Sequence, residues 1–260
     1  MDSVLQIERA DGVATLTLNR PATRNALSPE LLTALAAGIE EVSSDSTILA
    51  VVLTGAGQAF CSGADLKGAI ADVEAGVDLD ARIEQFHALI RGIVRAPKPF
   101  IAAVSGPAVG FGADLALACD LRVMSVSGYL QEKFVAIGLM PDGGGTFWLP
   151  RLVGLGRALE YLLLGTKLDA ELALSLGLTS RVVAEDALLG EALSLARTLS
   201  AGPPLAIRAI KWALREPAPT SIDEALAREK TGQLALLRSA DLREGVHAWS
   251  EGRAPTFRGR

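Results

Sequence analysis

The sequence predicts an α/β protein with one hydrophobic core, in which helices cover sheets of short strands. Strand-like and helix-like segments alternate along the chain, and several of the strands are apolar throughout, as strands covered on both faces are. The composition agrees, because half of the 260 residues are apolar and 21% are charged. A chain of this length buries enough surface to fold without a metal or a disulfide.

The first elements predicted are a strand, a helix and a second strand. Residues 13–18 alternate between apolar and small or polar side chains, which is the pattern of a half-buried strand. Ser28 followed by Pro29 is a helix start signal, and we expect this helix to run to about Val42. Residues 49–53 then form a short, fully apolar strand that turn residues directly follow.

The middle of the chain repeats this alternation. Residues 80–95 have the spacing of an amphipathic helix, and Pro97 follows its end. A buried strand is predicted over 100–104, a helix over 113–119 and a further strand over 121–124.

Beyond about residue 185 the strand pattern disappears. Helical patterns remain over 185–199, 205–214 and 222–237, and the last dozen residues are basic and irregular. The turns between these helices are rich in proline, at Pro203, Pro204, Pro217 and Pro219.

Charge and composition exclude several classes of protein. A net charge of −5 argues against an obligatory nucleic-acid partner, which needs a basic surface. No stretch approaches 18 consecutive apolar residues, and residues 1–4 lack the profile of a signal peptide, so we expect a soluble cytoplasmic protein with no membrane partner. Two cysteines and two histidines are too few for a disulfide framework or a metal site built on histidines.

Three glycine-rich segments follow predicted strands, at 59–67, 106–114 and 138–146. They lack the P-loop and nucleophile-elbow motifs, and Leu115 replaces the third glycine of a dinucleotide fingerprint. Glycine lets a backbone N–H approach a ligand closely, and two such N–H groups on one carbonyl oxygen form an oxyanion hole. From the residues alone, these glycines are equally compatible with tight strand-to-helix turns.

Several motifs occur along nearly the whole chain in a characteristic order and spacing. They are Leu18-Asn19-Arg20-Pro21, Arg24-Asn25-Ala26-Leu27, the segments 52–66 and 115–120, Pro97-Lys98-Pro99, and Gly143-Gly144-Gly145-Thr146. Together they resemble the enoyl-CoA hydratase/isomerase (crotonase) family.

This resemblance implies a crotonase-like ββα spiral over residues 1–195, with the active site, and a helical trimerisation region over 196–260. It also implies an acyl-CoA thioester as substrate, no cofactor other than the coenzyme A of that substrate, no metal, and a homotrimer or a hexamer made of two trimers. The oxyanion donors would be the backbone N–H groups of Ala64 and Phe111.

The resemblance also indicates which carboxylate acts in catalysis. Hydratases of the family use two glutamates, and this chain has Asp114 and Phe134 at those positions. A phenyl ring can neither move a proton nor hold a water, so two-glutamate hydration is in doubt. Asp142 matches the catalytic aspartate of the epoxyphenylacetyl-CoA isomerase-like subgroup of the phenylacetate pathway. Its alternative interpretation is a plain N-cap aspartate of the next helix.

We therefore expect an acyl-CoA isomerase that shifts a double bond or isomerises a ring, with Asp142 as acid/base and Asp114 as an auxiliary acid. Three alternatives stay open. They are an enoyl-CoA hydratase that uses Asp114, a dehalogenase-like hydrolase of aryl-CoA that uses Asp142 with His87, and an acyl-CoA-binding protein without turnover.

The resemblance places further residues around the coenzyme A and the acyl group. The predicted binding residues are Arg24, Ala26, Ala64, Asp65, Leu66, Lys67, Phe134 and Trp148. Asp65 is also a candidate for bracing its own loop. Arg253 and Arg258 of the tail are candidates for a phosphate contact, with solvated surface charges as the alternative.

Overall fold

The computed structural model describes residues 3–216 and 219–260. The strands are β1 (Leu5–Ala10), β2 (Val13–Leu18), β3 (Ala50–Gly55), β4 (Phe100–Val104), β5 (Pro107–Val109), β6 (Leu121–Ser125), β7 (Tyr129–Gln131), β8 (Leu168–Asp169) and β9 (Arg181–Val183). The first helices are α1 (Pro29–Ser44), α2 (Leu66–Glu74), α3 (Leu79–Arg95), α4 (Phe111–Ala118), α5 (Gly145–Val153) and α6 (Leu155–Leu164). The later helices are α7 (Ala170–Ser175), α8 (Leu188–Ser200), α9 (Pro204–Arg215), α10 (Ile222–Leu236) and α11 (Ala240–Glu251).

The larger sheet has six strands in the order β1-β2-β3-β4-β6-β9. Its first pair is antiparallel, and every other neighbouring pair is parallel. Parallel strands need cover on both faces. Helix α8 covers one face with Leu188, Ala192 and Ala196, while α1, α3 and α4 cover the other.

The smaller sheet, in the order β5-β7-β8, supports the candidate site. Strand β5 leads directly into α4 through Gly110, and the backbone N–H of Gly110 donates to the carbonyl oxygen of Gln131 at the end of β7 (2.8 Å). The start of α4 and the chain that follows β7 are therefore fixed side by side.

Most of the predicted elements are confirmed. Ser28 caps α1, where its side chain accepts a hydrogen bond from the backbone N–H of Leu31, and Pro29 is the first residue of the helix. Helix α4 begins two residues earlier than predicted, because Gly110, with a φ of +53°, directly follows β5 and allows the sharp entry into the helix. Pro217 of the predicted turns lies outside the described residues.

Several elements of the structure, among them β1, α2 and α11, are absent from the sequence-based prediction. Strand β1 was not predicted, because most of its side chains are partly exposed or exposed and give no apolar pattern. Helix α2 occupies part of the segment 68–80, in which no pattern was predicted. Helix α11 includes residues that were expected to be irregular, and it buries only Asp241 and Ala248.

The predicted boundary between residues 195 and 196 falls inside α8. Ala196 has no exposed surface and packs with the residues of the sheet, so α8 belongs to the core up to Ser200. The helical region that follows the core begins with α9. Among the described helices, none is long and apolar enough to span a membrane.

Candidate active site

The first glycine-rich loop is clamped between two other backbone segments. On one side, the N–H of Leu27 donates to the carbonyl of Gly63 (2.8 Å) and the N–H of Asp65 donates to the carbonyl of Leu27 (3.2 Å). These two bonds turn the N–H of Ala64, which lies between Gly63 and Asp65, away from this segment. In the described chain the Ala64 amide donates to no protein acceptor.

The second amide lies beside the first. Phe111 is the first residue of α4, and its N–H has no acceptor among the described residues, as is usual for the first turn of a helix. A methyl group built on Gly63 would lie 3.4 Å from the nitrogen of Phe111 and 2.7 Å from the carbonyl oxygen of Val109. Gly63 also has a φ of +91°. Only glycine allows the loop to approach the start of α4 this closely.

The side chain of Phe111 is directed into the core rather than into a pocket. It is 1% exposed and makes an edge-to-face contact with Phe86 of α3 at 4.7 Å between ring centroids. The ring of Phe134 lies beside the start of α4, within 3.8 Å of a methyl group built on Gly110. The backbone of Phe111 and the ring of Phe134 are thus the parts that face the site.

Asp142 does not cap α5. The N-cap of that helix is Gly144, in the left-handed conformation, and no side chain caps it. The Oδ1 atom of Asp142 is buried without a hydrogen-bond partner. The interpretation of Asp142 as a plain N-cap residue is therefore wrong. Burial raises the pKa of Asp142, and the side chain of His87 on α3 opposes this shift.

Asp114 lies under the turn that carries Asp142. It has no exposed surface, and its Oδ2 accepts a hydrogen bond from the backbone N–H of Gly143 (3.0 Å). Its Oδ1 has no partner. Burial, and after it the negative charge of Asp142, raises the pKa of Asp114 to about 7.

The sequence analysis missed a third buried carboxyl group, that of Glu132. It directly follows β7 and is 4% exposed, and neither of its oxygens has a hydrogen-bond partner. A methyl group built on Gly145 would lie 3.0 Å from Oε1 of Glu132 and 3.1 Å from Oδ1 of Asp114. The only signal in the sequence was an acidic residue at the end of a short strand, two positions before Phe134.

The chain from residue 8 to residue 260 matches the family model described as enoyl-CoA hydratase/isomerase. The chain belongs to the enoyl-CoA hydratase/isomerase family.

Individual members of this family are similar over almost the whole chain. The 1,2-epoxyphenylacetyl-CoA isomerase of Escherichia coli is 40% identical, over 96% of each chain. The 4-chlorobenzoyl coenzyme A dehalogenase-2 of Arthrobacter sp. is 32% identical, over 95% of each. The crystal structure of an enoyl-CoA hydratase from Polaromonas sp. JS666 is 34% identical and superposes with a TM-score of 0.93, covering 98% of this chain and 99% of that one. The predicted crotonase-like fold is confirmed.

In this family member, the residues predicted to bind coenzyme A lie around the first loop. Arg24 is exposed, in the left-handed conformation, and Ala26 is buried. Leu66 and Lys67 are exposed in the first turn of α2. Asp65 forms an ion pair with Arg20 (3.4 Å), which supports its interpretation as a residue that braces the loop.

Residues of the tail and of α3 have other partners. Arg253 forms ion pairs with Glu244 and Glu251, and the backbone N–H of Arg258 donates to Asp241. His87 is 3.3 Å from Glu84 on the exposed side of α3. The structure does not bring the two arginines to the carboxyl groups of the site.

A cavity of about 770 Å³ adjoins the turn after Asp142, between α3, α5 and α9. Gly144 and Trp148 form part of its wall, and the buried Nε1 of Trp148 has no hydrogen-bond partner. Arg215 of α9 lies over the Trp148 ring at 4.9 Å. Among the described residues, no group of three histidine, cysteine or acidic side chains is arranged to hold a metal ion.

Proposed function

We propose that this enzyme is an acyl-CoA isomerase in which Asp142 moves a proton between two carbons of the acyl group. The supporting observation is that Asp142, on the turn above Asp114 of α4, has a buried carboxyl oxygen without a partner and is only partly buried as a residue, whereas Asp114 has no exposed surface and is bound to Gly143. The proposed reaction is a double-bond shift or the isomerisation of a ring, and the similar protein from Escherichia coli is named a 1,2-epoxyphenylacetyl-CoA isomerase.

In the first step the thioester oxygen accepts hydrogen bonds from the N–H groups of Ala64 and Phe111. The Asp142 carboxylate removes a proton from the carbon next to the thioester carbonyl, and the electron pair of the broken C–H bond forms the enolate. The negative charge gathers on the oxygen, where each such donor is typically worth about 2.7–4 kcal/mol in the transition state. The amides are fixed by the surrounding backbone, so they need no rearrangement during the reaction.

In the second step Asp142 returns its proton to a different carbon of the same acyl group. Burial raises the pKa of this carboxyl group and so makes it a stronger base once it is ionised. One residue thus serves as base and acid, and neither water nor a second acid is consumed. The cavity lined by Gly144 and Trp148, which adjoins the turn after Asp142, is the proposed place of the acyl group.

Hydration is the second candidate, because the similar structure from Polaromonas is named an enoyl-CoA hydratase. It would require Asp114 to activate a water. Asp114 has no exposed surface and its Oδ2 is bound to Gly143, and Phe134 offers no second carboxylate. These observations favour isomerisation.

Dehalogenation of an aryl-CoA is a third candidate. The observation in its favour is the electrostatic effect of His87 on Asp142, together with the likeness to the Arthrobacter dehalogenase. Phe134 again lies near the site. Chloride release from 4-chlorobenzoyl-CoA is the readout that would identify this activity.

The decisive experiment incubates the enzyme with 3-hexenoyl-CoA and, separately, with crotonyl-CoA in heavy water. We expect 2-hexenoyl-CoA from the first substrate, with deuterium on carbon only to the extent that the proton on Asp142 exchanges with solvent before its return, and no product that has gained the mass of a water from the second. Asp142→Asn should lose the isomerisation while it retains coenzyme A binding, and Asp186→Asn, at an exposed site, serves as the control. Hydrated product, or normal turnover by Asp142→Asn, would contradict the proposal. Tight thioester binding with no proton exchange would indicate a binding protein.

The remaining expectations from the sequence belong to this proposal. Arg24, Ala26, Asp65, Leu66 and Lys67 are the proposed surroundings of the coenzyme A. The homotrimer or hexamer and the cytoplasmic location also remain predictions.

A further inference from the structure

We infer that Glu132, held as a carboxylic acid, donates a hydrogen bond to Asp114 and through it positions the turn that carries Asp142. Glu132 would be a positioning residue, since it acts on the reaction through other groups. The inference rests on the proposed role of Asp142, but its structural part can be tested without any substrate.

The two buried carboxyl groups share one small space. Oε1 of Glu132 and Oδ1 of Asp114 both lie about 3 Å from the point where a methyl group on Gly145 would sit. Neither oxygen has a partner, and both side chains are at least nine-tenths buried. A side chain at position 145 would therefore press on both acids.

A proton shared between these two carboxyl groups removes the repulsion that two buried carboxylates would have. Ionised carboxylates only accept hydrogen bonds, so two of them side by side would leave buried charges unpaired and repelling. One proton turns one partner into a donor. Asp114 receives the N–H of Gly143, whereas Glu132 receives no donor from the protein, so Asp114 is the better anion and Glu132 the better acid.

The electrostatic surroundings agree with this assignment. Burial, with the negative charges of Asp114 and Asp142 after it, raises the pKa of Glu132 well above its usual range. Among the described residues these two are the charged groups that act on Glu132, and His87 acts on Asp142 from α3. The hydrogen bond of Gly143 lowers the pKa of Asp114 against the effect of burial.

The hydrogen bond to Asp114 matters for Asp142 because of the peptide that Asp114 holds. The N–H of Gly143 belongs to the peptide group directly after Asp142, and it ends on Oδ2 of Asp114. A methyl group on Gly143 would be 2.5 Å from Cβ of Asp114, so the turn and the acid are in direct contact. If Asp114 shifts, this peptide shifts, and the Asp142 carboxyl group moves with it.

Two substitutions of Glu132 distinguish the effect of its hydrogen-bond donor from the effect of its charge. Glu132→Gln keeps the shape and replaces the O–H donor by an N–H donor, so we expect kcat and KM close to the wild-type values. Glu132→Leu removes the donor, and we expect a loss of about 10²-fold in kcat with little change in KM, the size expected for a misplaced catalytic group.

In the wild type, kcat should also fall at alkaline pH, where Glu132 loses its proton, and this alkaline fall should be absent from Glu132→Gln.

Infrared difference spectra provide the test that is independent of turnover. The spectrum of the wild type minus that of Glu132→Gln, recorded near pH 7, should contain the C=O band of a protonated carboxyl group, and Asp114→Asn should retain that band. Absence of the band from the difference spectrum would overturn the inference, and so would equal kcat values for the Leu and Gln variants. If the band is present but no acyl-CoA is turned over, the proposed function fails while the protonated Glu132 stands.

Discussion

At the scale of single residues, the site differs from its surroundings by its unpaired polar atoms. Buried polar atoms in proteins are nearly always hydrogen-bonded, and unpaired ones need an explanation. Here they include oxygens of Asp114, Glu132 and Asp142, the Nε1 of Trp148, and the amides of Ala64 and Phe111. Such a concentration is what a site shaped for a polar ligand and a mobile proton requires.

The pH dependence of the reaction is the first prediction at this scale. Asp142 must be ionised to act as a base, and burial raises its pKa. We therefore expect kcat/KM to fall as the pH is lowered, with a midpoint above the ordinary aspartate value. A pH profile of the isomerisation measures this. A midpoint at the ordinary value, or an unchanged acid limb in the residual activity of Asp142→Asn, would contradict the assignment.

The sequence predicted Asp142, Ala64 and Phe111 because they lie in motifs whose order and spacing resemble a family. It did not reveal Glu132, because a glutamate after a short strand is as a rule exposed. Only the structure, in which Glu132 lies beside Asp114 of α4 and Gly145 of α5, shows that this side chain is enclosed. The structure also shows that Asp142 caps no helix, which the sequence left open.

At the scale of elements, α9 is docked to the core through a buried lysine. Lys211 is 8% exposed; its Nζ is 2.8 Å from Oδ2 of Asp120, directly before β6, and it also donates to the carbonyl oxygens of Ile93 and Lys98. Arg215 pairs with the other oxygen of Asp120 (2.9 Å). These contacts fix one wall of the cavity beside Trp148.

Lys211→Met should therefore destabilise the protein. Two carbonyls lose this donor and Oδ2 of Asp120 keeps only the N–H of Phe100, while Arg215 still pairs with Oδ1, so we expect a loss of about 3 kcal/mol, the lower end for a broken buried pair. Denaturant unfolding measures this, with the exposed Lys230→Met, expected within about 0.5 kcal/mol of the wild type, as control. Equal stability of the two variants would show that α9 is held by its apolar contacts alone.

At the scale of the whole molecule, the acid cluster predicts how stability changes with pH. Asp114 and Glu132 hold their protons more tightly when folded than when unfolded, because their pKa values are raised from about 4. Stability should be greatest at low pH with respect to these groups and fall as the pH rises through the folded pKa, about 7 for Asp114. Unfolding midpoints measured across pH should show this fall, and Glu132→Gln should reduce it. A fall of the same size in that variant would contradict a raised pKa at Glu132.

Assembly is a prediction at the same scale. Large apolar side chains are exposed on the C-terminal helices, with Leu214 at 79%, Ile222 at 70% and Trp249 at 85%. A monomer rarely exposes so many large apolar side chains, so these residues are compatible with the expected contact between subunits of a trimer. Analytical ultracentrifugation should give three or six times the mass of the chain, and Trp249→Glu should lower it. A monomeric wild type would contradict the expected trimer.

The fold was predictable at this scale because fully apolar strands and helix signals are local features. The docking of α9 and the helix α11 were not, because they depend on a buried lysine and on a helix with few buried residues.

The most direct measurement is a crystal structure with a slowly reacting acyl-CoA bound. We expect the thioester oxygen about 2.7–3.1 Å from the backbone nitrogens of both Ala64 and Phe111, with an oxygen of Asp142 against the carbon that loses its proton. A thioester oxygen bound elsewhere, or either amide turned to a protein acceptor, would contradict this expectation.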